Sequence, residues 1–339
     1  MTLNDVWFVL FVVIITGYLI LDGFDLGVGI LHLLVAKTDT ERRLTLNSIG
    51  PIWDGNEVWL VTGGGVLFAA FPLAYASLFS GFYLAMMLVL LVLILRTVAI
   101  EFRSKRETPG WRRLWEIVFF LSSLLIALLF GVAFGNIIAG VPLDADGNIT
   151  MSLFELLKPF PLLVGVTTVA MMAMHGAIYL IMKTGDELQE RVKHWLPRLM
   201  VIFFIFNTLV VVAVFFSQTH AMENYYDSLL LGIFPVVALA ALVTAWWMVQ
   251  RGKYFLGFVA SGSMIALLLF SGAIGMYPNL LISTIDAANN LTITNAASAD
   301  NTLKVMLVIA LIGMPYVLAY TAGVYYFFRG KTELGAESY

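Results

Sequence analysis

Residues 78–100 read LFSGFYLAMMLVLLVLILRTVAI, a stretch in which Arg96 is the only charged side chain. At 1.5 Å per residue such a helix is about 34 Å long. That crosses a hydrocarbon layer of roughly 30 Å. Runs of this kind recur from one end of the chain to the other. Of the 339 residues, 60% are apolar and 12% charged, against roughly 25% charged in soluble domains. A water-soluble fold does not fit. A membrane β-barrel would show alternating segments of about ten residues, and that pattern is absent. Helices remain, because lipid offers no partner for backbone N–H and C=O groups. The expected fold is an all-α polytopic membrane protein, with residues 1–339 forming a single transmembrane helical domain.

Working outward from 78–100, polar breaks divide the chain into nine spans: 6–34, 53–75, 78–100, 115–139, 160–182, 199–219, 228–249, 255–276 and 304–328. Lys and Arg should then gather in alternate loops. One set of loops holds Lys37, Arg42 and Arg43; Arg103, Lys105, Arg106, Arg112 and Arg113; Lys183, Arg191, Lys193 and Arg198; Arg251 and Lys253; and Arg329 and Lys331. All but three of the 19 basic residues are in that set; Lys158 and Lys304 lie at the opposite face and Arg96 within a span. The rule therefore predicts an outside N-terminus and a cytoplasmic C-terminus. The first span opens with Asn4 and Asp5 rather than positive charge and carries no small-residue cleavage site, so it reads as a mature helix.

The net charge of −3 does not suggest nucleic acid or an acidic substrate as a partner. The absence of cysteine excludes disulfides, iron–sulfur clusters, thiolate haem ligation and cysteine zinc sites.

Charged groups inside spans are expensive and tend to mark ion paths. Asp22 and Asp25 lie in DGFDLGVG (22–29), roughly 24–29 Å from the outer start of the first span. The second span begins on the inner side with GPIWDGNEVWL, placing Asp54 at its mouth and Glu57 almost a turn deeper. The third reaches Arg96 after roughly 27 Å. All five are expected at one depth near the inner face. Residues three apart share a helix face, so Asp22 with Asp25 and Asp54 with Glu57 make two acidic pairs. Four carboxylates around one guanidinium cannot all ionise in low dielectric; some take up protons or bind a cation. That is the physics of a proton relay, and it leaves a metal neither assigned nor excluded. The competing reading is a structural Arg96 salt bridge with the other acids capping helices or reaching the interface. Glu101 and Glu116 read as ordinary interfacial partners of nearby basic residues. The glycines of DGFDLGVG and VTGGGVLF allow either close packing or a local break, and Gly131, Gly135, Gly257 and Gly262 read as packing positions.

Haem requires an axial His, Met, Cys or Tyr. His32, His194 and His220 fall at interfaces or in loops, and His175 alone is deep in a span. A hydrogen-bonded histidine between helices accounts for His175 as well as a ligand does. Met171, Met172 and Met174 read as packing groups.

Taken together, DGFDLGVG (22–29), TERRLTLNSIGPIWDGNEVWLVTGGGVLFAAFP (40–72), SGFYLAMMLVLLVLILR (80–96) with EFRSK (101–105), FGVAFGNIIAGVP (130–142) and GMYPNLLIS (275–283) resemble subunit II of cytochrome bd-type quinol oxidases over nearly the whole chain. WDGNEVWL is the most specific of these signals. The short segment between the sixth and seventh spans resembles the shorter class of the family. The resemblance implies a haem-free scaffold for a haem-bearing subunit I, which carries haem b and haem d, oxidises quinol and reduces oxygen. It implies a bacterial inner-membrane location, with lipid, the quinone pool and small accessory membrane subunits as further partners. It places a cytoplasmic proton route at Asp54, with Asp25, Asp22, Glu57 and Arg96 beside it and Trp53, Gly55, Asn56 and Trp59 as motif support. No catalytic or cofactor-binding residue is assigned to this chain. The alternative from another class is an ion-coupled secondary transporter that uses the same acids.

Overall fold

The structure, a computed structural model, describes residues 2–335. In chain order its helices are α1 (Leu3–Val35), α2 (Asp39–Ile49), α3 (Trp53–Ala70), α4 (Pro72–Gly81), α5 (Tyr83–Phe102), α6 (Pro109–Ala139), α7 (Pro159–Lys183), α8 (Asp186–Ser217), α9 (Glu223–Asp227), α10 (Ile233–Gln250), α11 (Tyr254–Met276) and α12 (Asp300–Phe327). Two of them begin with reciprocal capping boxes, Thr2 with Asp5 on α1 and Thr38 with Glu41 on α2. Two short antiparallel strands, Asn279–Leu281 and Leu291–Thr292, order the long loop before α12.

Among the described residues, eight helices are long and apolar enough to cross a membrane, against nine expected spans. The exception is α3, whose first two turns carry Asp54, Asn56 and Glu57. Its 18 residues still rise about 27 Å, from Asn56 against Asp25 to Ala70 against the loop before α12. The expected gap between the second and third spans, 76–77, falls inside α4 instead. Pro72 explains this: it has no N–H to extend α3, and its fixed φ suits the first turn of a new helix. The carbonyls of Ala69 and Ala70 at the break accept from the hydroxyl and the N–H of Ser298, at 2.7 and 2.9 Å.

The basic loops meet at one end of the bundle. Arg103 between α5 and α6 pairs with Asp39 at 2.7 Å, Arg191 on α8 pairs with Glu41 at 2.6 Å, and Lys183 on α7 donates to the carbonyl of Phe328 after α12. Lys193 lies over the ring of Tyr254 at the start of α11. The other loops meet at the opposite end, where Trp7 donates to the Leu303 carbonyl, Val141 pairs with Ser283, and His220 bonds the Ile138 carbonyl.

The centre is α1 against α7, flanked by α3, α6 and α11. A Cβ on Gly27 would stand 1.9 Å from the Met172 carbonyl oxygen, and one on Gly176 would stand 2.5 Å from Gly27. Glycine lets these two backbones touch, so the DGFDLGVG run packs without breaking α1. By contrast α12, α10 and much of α8 present exposed apolar side chains, among them Leu311, Ile312, Val236, Val243 and Phe216. Outward apolar faces are what lipid or a membrane partner covers.

Candidate functional site: a buried acid–arginine cluster

On α1, Tyr18, Asp22 and Asp25 follow one another at intervals of four and three, so one helical face carries a hydroxyl and two carboxylates. This face is inside the protein: both aspartates are 0% exposed. The neighbour α3 approaches closely because Trp59 lies over Gly17, where a Cβ would come within 2.6 Å of the ring. At that spacing Asn56 Nδ2 reaches Asp25 Oδ2 at 2.8 Å and the Leu21 carbonyl at 3.2 Å. The third helix, α5, contributes Arg96, also 0% exposed, whose Nη2 stands 2.7 Å from Asp22 Oδ1. Arg96 Nη1 lies 3.9 Å from Glu57 Oε2.

The structure therefore joins four of the five expected site residues: Asp22, Asp25, Glu57 and Arg96. Glu57 is the member at the edge, with 20% of its side chain exposed. Asp54 is not in the cluster. It lies on the exposed side of the first turn of α3, three residues before Glu57, where its charge suits the positive helix end. Within the motif, Trp53, Asn56 and Trp59 are buried, whereas Gly55 is exposed and has open space around its Cα.

Three carboxylates share one guanidinium here, so the pocket holds more negative than positive groups. Several of its polar atoms have no protein partner: Tyr18 Oη, Asp22 Oδ2, Asp25 Oδ1 and Arg96 Nε. Buried polar groups are nearly always satisfied by protein or water. A buried carboxylate pair with spare hydrogen-bonding capacity beside one cation can hold a proton.

Two members escaped the sequence reading. Tyr18 could have been found, since it is one turn before Asp22 on the same helix. Tyr325 could not: it comes from α12 and donates to Asn56 Oδ1 at 2.8 Å, across 269 positions of sequence. Behind the cluster, Tyr179 stacks on Phe24 with centroids 4.1 Å apart and donates to the Ser48 carbonyl at 2.6 Å.

The histidines are engaged elsewhere. In His175, Nδ1 bonds Ser261 Oγ at 2.8 Å, Nε2 meets the Ile20 carbonyl at 3.1 Å, and the ring stacks on Phe258. His32 Nδ1 bonds Thr45 Oγ1 at 2.7 Å. Among the described residues no three His, Cys, Asp or Glu side chains converge as a metal site.

A family model described as cytochrome bd terminal oxidase subunit II matches residues 3–328. The chain belongs to that family. This subunit II is 34% identical over 332 residues to the Bacillus subtilis protein named cytochrome bd ubiquinol oxidase subunit 2, covering 98% of this chain and 97% of the relative. It is 35% identical to cytochrome bd-I ubiquinol oxidase subunit 2 of Escherichia coli K12, with 97% and 95% of the two chains covered. A chain in the structure of bd oxidase from Geobacillus thermodenitrificans has the same fold, with a TM-score of 0.79 at 17% identity over 97% of this chain and 99% of that one. Subunit II is thus a multi-pass membrane component of an oxidoreductase complex, and its designation as a second subunit implies a subunit I. The transporter alternative gains nothing from this membership.

Proposed function

We propose that this subunit II scaffolds a haem-bearing subunit I and carries protons to the site of oxygen reduction through the cluster of Asp22, Asp25, Glu57 and Arg96. The observation that carries the proposal is the position of Glu57, whose side chain is 20% exposed at the protein surface and lies 3.9 Å from the fully buried Arg96. Asp54 precedes it on the outside of α3, so a proton collected there meets Glu57 next and then the carboxylates of α1. Asn56 and Tyr325 continue the hydrogen-bonded run beyond Asp25.

The basic end of the bundle is assigned to the cytoplasm by the positive-inside rule, which puts the cluster near the inner face of a bacterial inner membrane. The chain is proposed to be haem-free, a reading supported by the protein partners on both nitrogens of the deeply buried His175. Haems b and d then belong to subunit I, and the quinone pool and small accessory subunits are partners of the assembled complex. If quinol releases its protons outside while oxygen reduction takes protons from inside, charge separation follows without a pump.

The test is turnover of the assembled oxidase carrying Glu57→Gln. Quinol oxidation should fall at least tenfold while the haem absorption spectrum stays that of the wild type. Wild-type turnover in an assembled Glu57→Gln complex removes the cluster from the proton route.

A further inference from the structure

Glu116 looks in sequence like an ordinary interfacial acid, yet it is 1% exposed and sits in a second charged cluster where α2, α5 and α6 meet at the basic end. Arg42 donates to it at 2.6 Å and Arg103 at 2.7 Å, while Arg113 stands 3.8 Å away. Arg103 also pairs with Asp39 at 2.7 Å, and Arg112 joins Asp39 at 3.1 Å. Four arginines face two carboxylates, so the cluster is positive by two charges. Its donors exceed its acceptors as well. Arg103 is 1% exposed, and its Nη1 has no partner; nor do Nε of Arg42 and Nε of Arg112. A buried guanidinium N–H without an acceptor is rare and calls for one.

The helix geometry adds to the positive field. α6 starts at Pro109 in this region, and its N-cap residue Thr108 supplies no side-chain oxygen to the first turn. The free N–H groups and the dipole of this 31-residue helix favour an anion. Immediately beyond the arginines the same helix turns apolar outward: Leu114, Ile117 and Leu121 are exposed at intervals of three and four. Trp111 and Trp115 pack edge to face beside them, with Trp111 bonded to the Phe102 carbonyl. An excess of guanidinium donors at the level of tryptophan rings, with the exposed Arg113 one turn before Ile117 of the aliphatic ridge, matches a molecule with an anionic head and hydrocarbon tails.

We propose that Arg42, Arg103, Arg112 and Arg113 bind the phosphate of an anionic phospholipid whose acyl chains lie along α6. Arginine suits the role because its planar fork engages phosphate oxygens in pairs. Asp39 and Glu116 hold the arginines in place and compete with the lipid for them. The site is separate from the proton cluster.

The test uses the purified, delipidated oxidase complex and native mass spectrometry. Phosphatidylglycerol should be retained in preference to phosphatidylcholine, and Arg112→Gln/Arg113→Gln should weaken its retention about tenfold or more. Asp39→Asn, which removes a competing carboxylate, should strengthen retention, a change that mere structural damage does not produce. Unaltered haem spectra of the variants serve as the check on assembly. Should the double variant fail to assemble, Asp39→Asn decides alone. Three outcomes overturn the proposal: equal retention of the two lipids, no change in either variant, or displacement of phosphatidylglycerol by millimolar inorganic phosphate, which marks a site for free anions.

Discussion

Tyr325 and Asn56 share a 2.8 Å hydrogen bond that ties α12, otherwise exposed along almost its whole length, to the polar start of α3. Asn56 in turn donates to Asp25, so a helix that buries little apolar surface is held to the acidic cluster by one hydroxyl. Tyr325→Phe keeps the ring and removes the bond. It should lower the stability of the complex by about 1 kcal/mol and reduce quinol turnover several-fold. Thermal denaturation followed by haem absorbance, together with oxygen-consumption assays, checks both. Unchanged turnover with an unchanged melting temperature would show that Asn56 holds Asp25 without help from α12.

Arg96 and Asp22 form an ion pair with neither side chain exposed. Removing one member leaves the other charged and buried, at a cost of about 3–5 kcal/mol. Arg96→Met should therefore abolish assembly or lower its yield severely. Arg96→Met combined with Asp22→Leu should recover part of that yield, because the carboxylate nearest the lost guanidinium is removed with it and only Asp25 and Glu57 remain without their cation. Haem-containing complex recovered per gram of membrane is the measurement. A double variant no better than the single denies that the pair is the cause.

Asp54 and Glu57 are separated by one turn and by very different surroundings. Asp54→Asn should lower turnover less than Glu57→Gln, since an exposed carboxylate can be bypassed by water while Glu57 stands between surface and interior. Steady-state oxygen consumption at matched haem content gives the ratio. The reverse order would make Asp54, and not Glu57, the group the route cannot do without.

His175 offers a check on where the haems reside. With both ring nitrogens bonded to protein groups, His175→Gln should cost about 1–2 kcal/mol of stability and leave the haem spectrum of the complex intact. Loss of one haem band from an assembled variant would contradict a haem-free subunit II.

The packing of α1 on α7 gives a stability prediction free of charge effects. Gly27→Ala places a methyl group 1.9 Å from the Met172 carbonyl and should prevent assembly, whereas Gly64→Ala, with open space around it, should be tolerated. Expression of the two variants side by side, scored by membrane-inserted protein, separates packing from helix propensity.

Sequence alone determined the class of the molecule, the approximate ends of most crossing helices though not the start of α8 at Asp186 or the break at Pro72, the gathering of basic loops at one end and the pairing of Asp22 with Asp25. These are properties of a single segment in its solvent: apolar length against bilayer thickness, charge against interface, and residues three apart on one turn. Which charges meet is a different kind of question, because it depends on how far one helix can approach another and at what rotation. Only the tertiary structure brought Arg96 to Asp22, left Asp54 outside, drew Tyr325 in from the last helix, and turned Glu116 from a surface acid into the buried partner of three arginines. Contacts between helices are set by the fit of Gly17 under Trp59 or Gly27 against α7, and no periodicity along one chain segment records what stands on the other side.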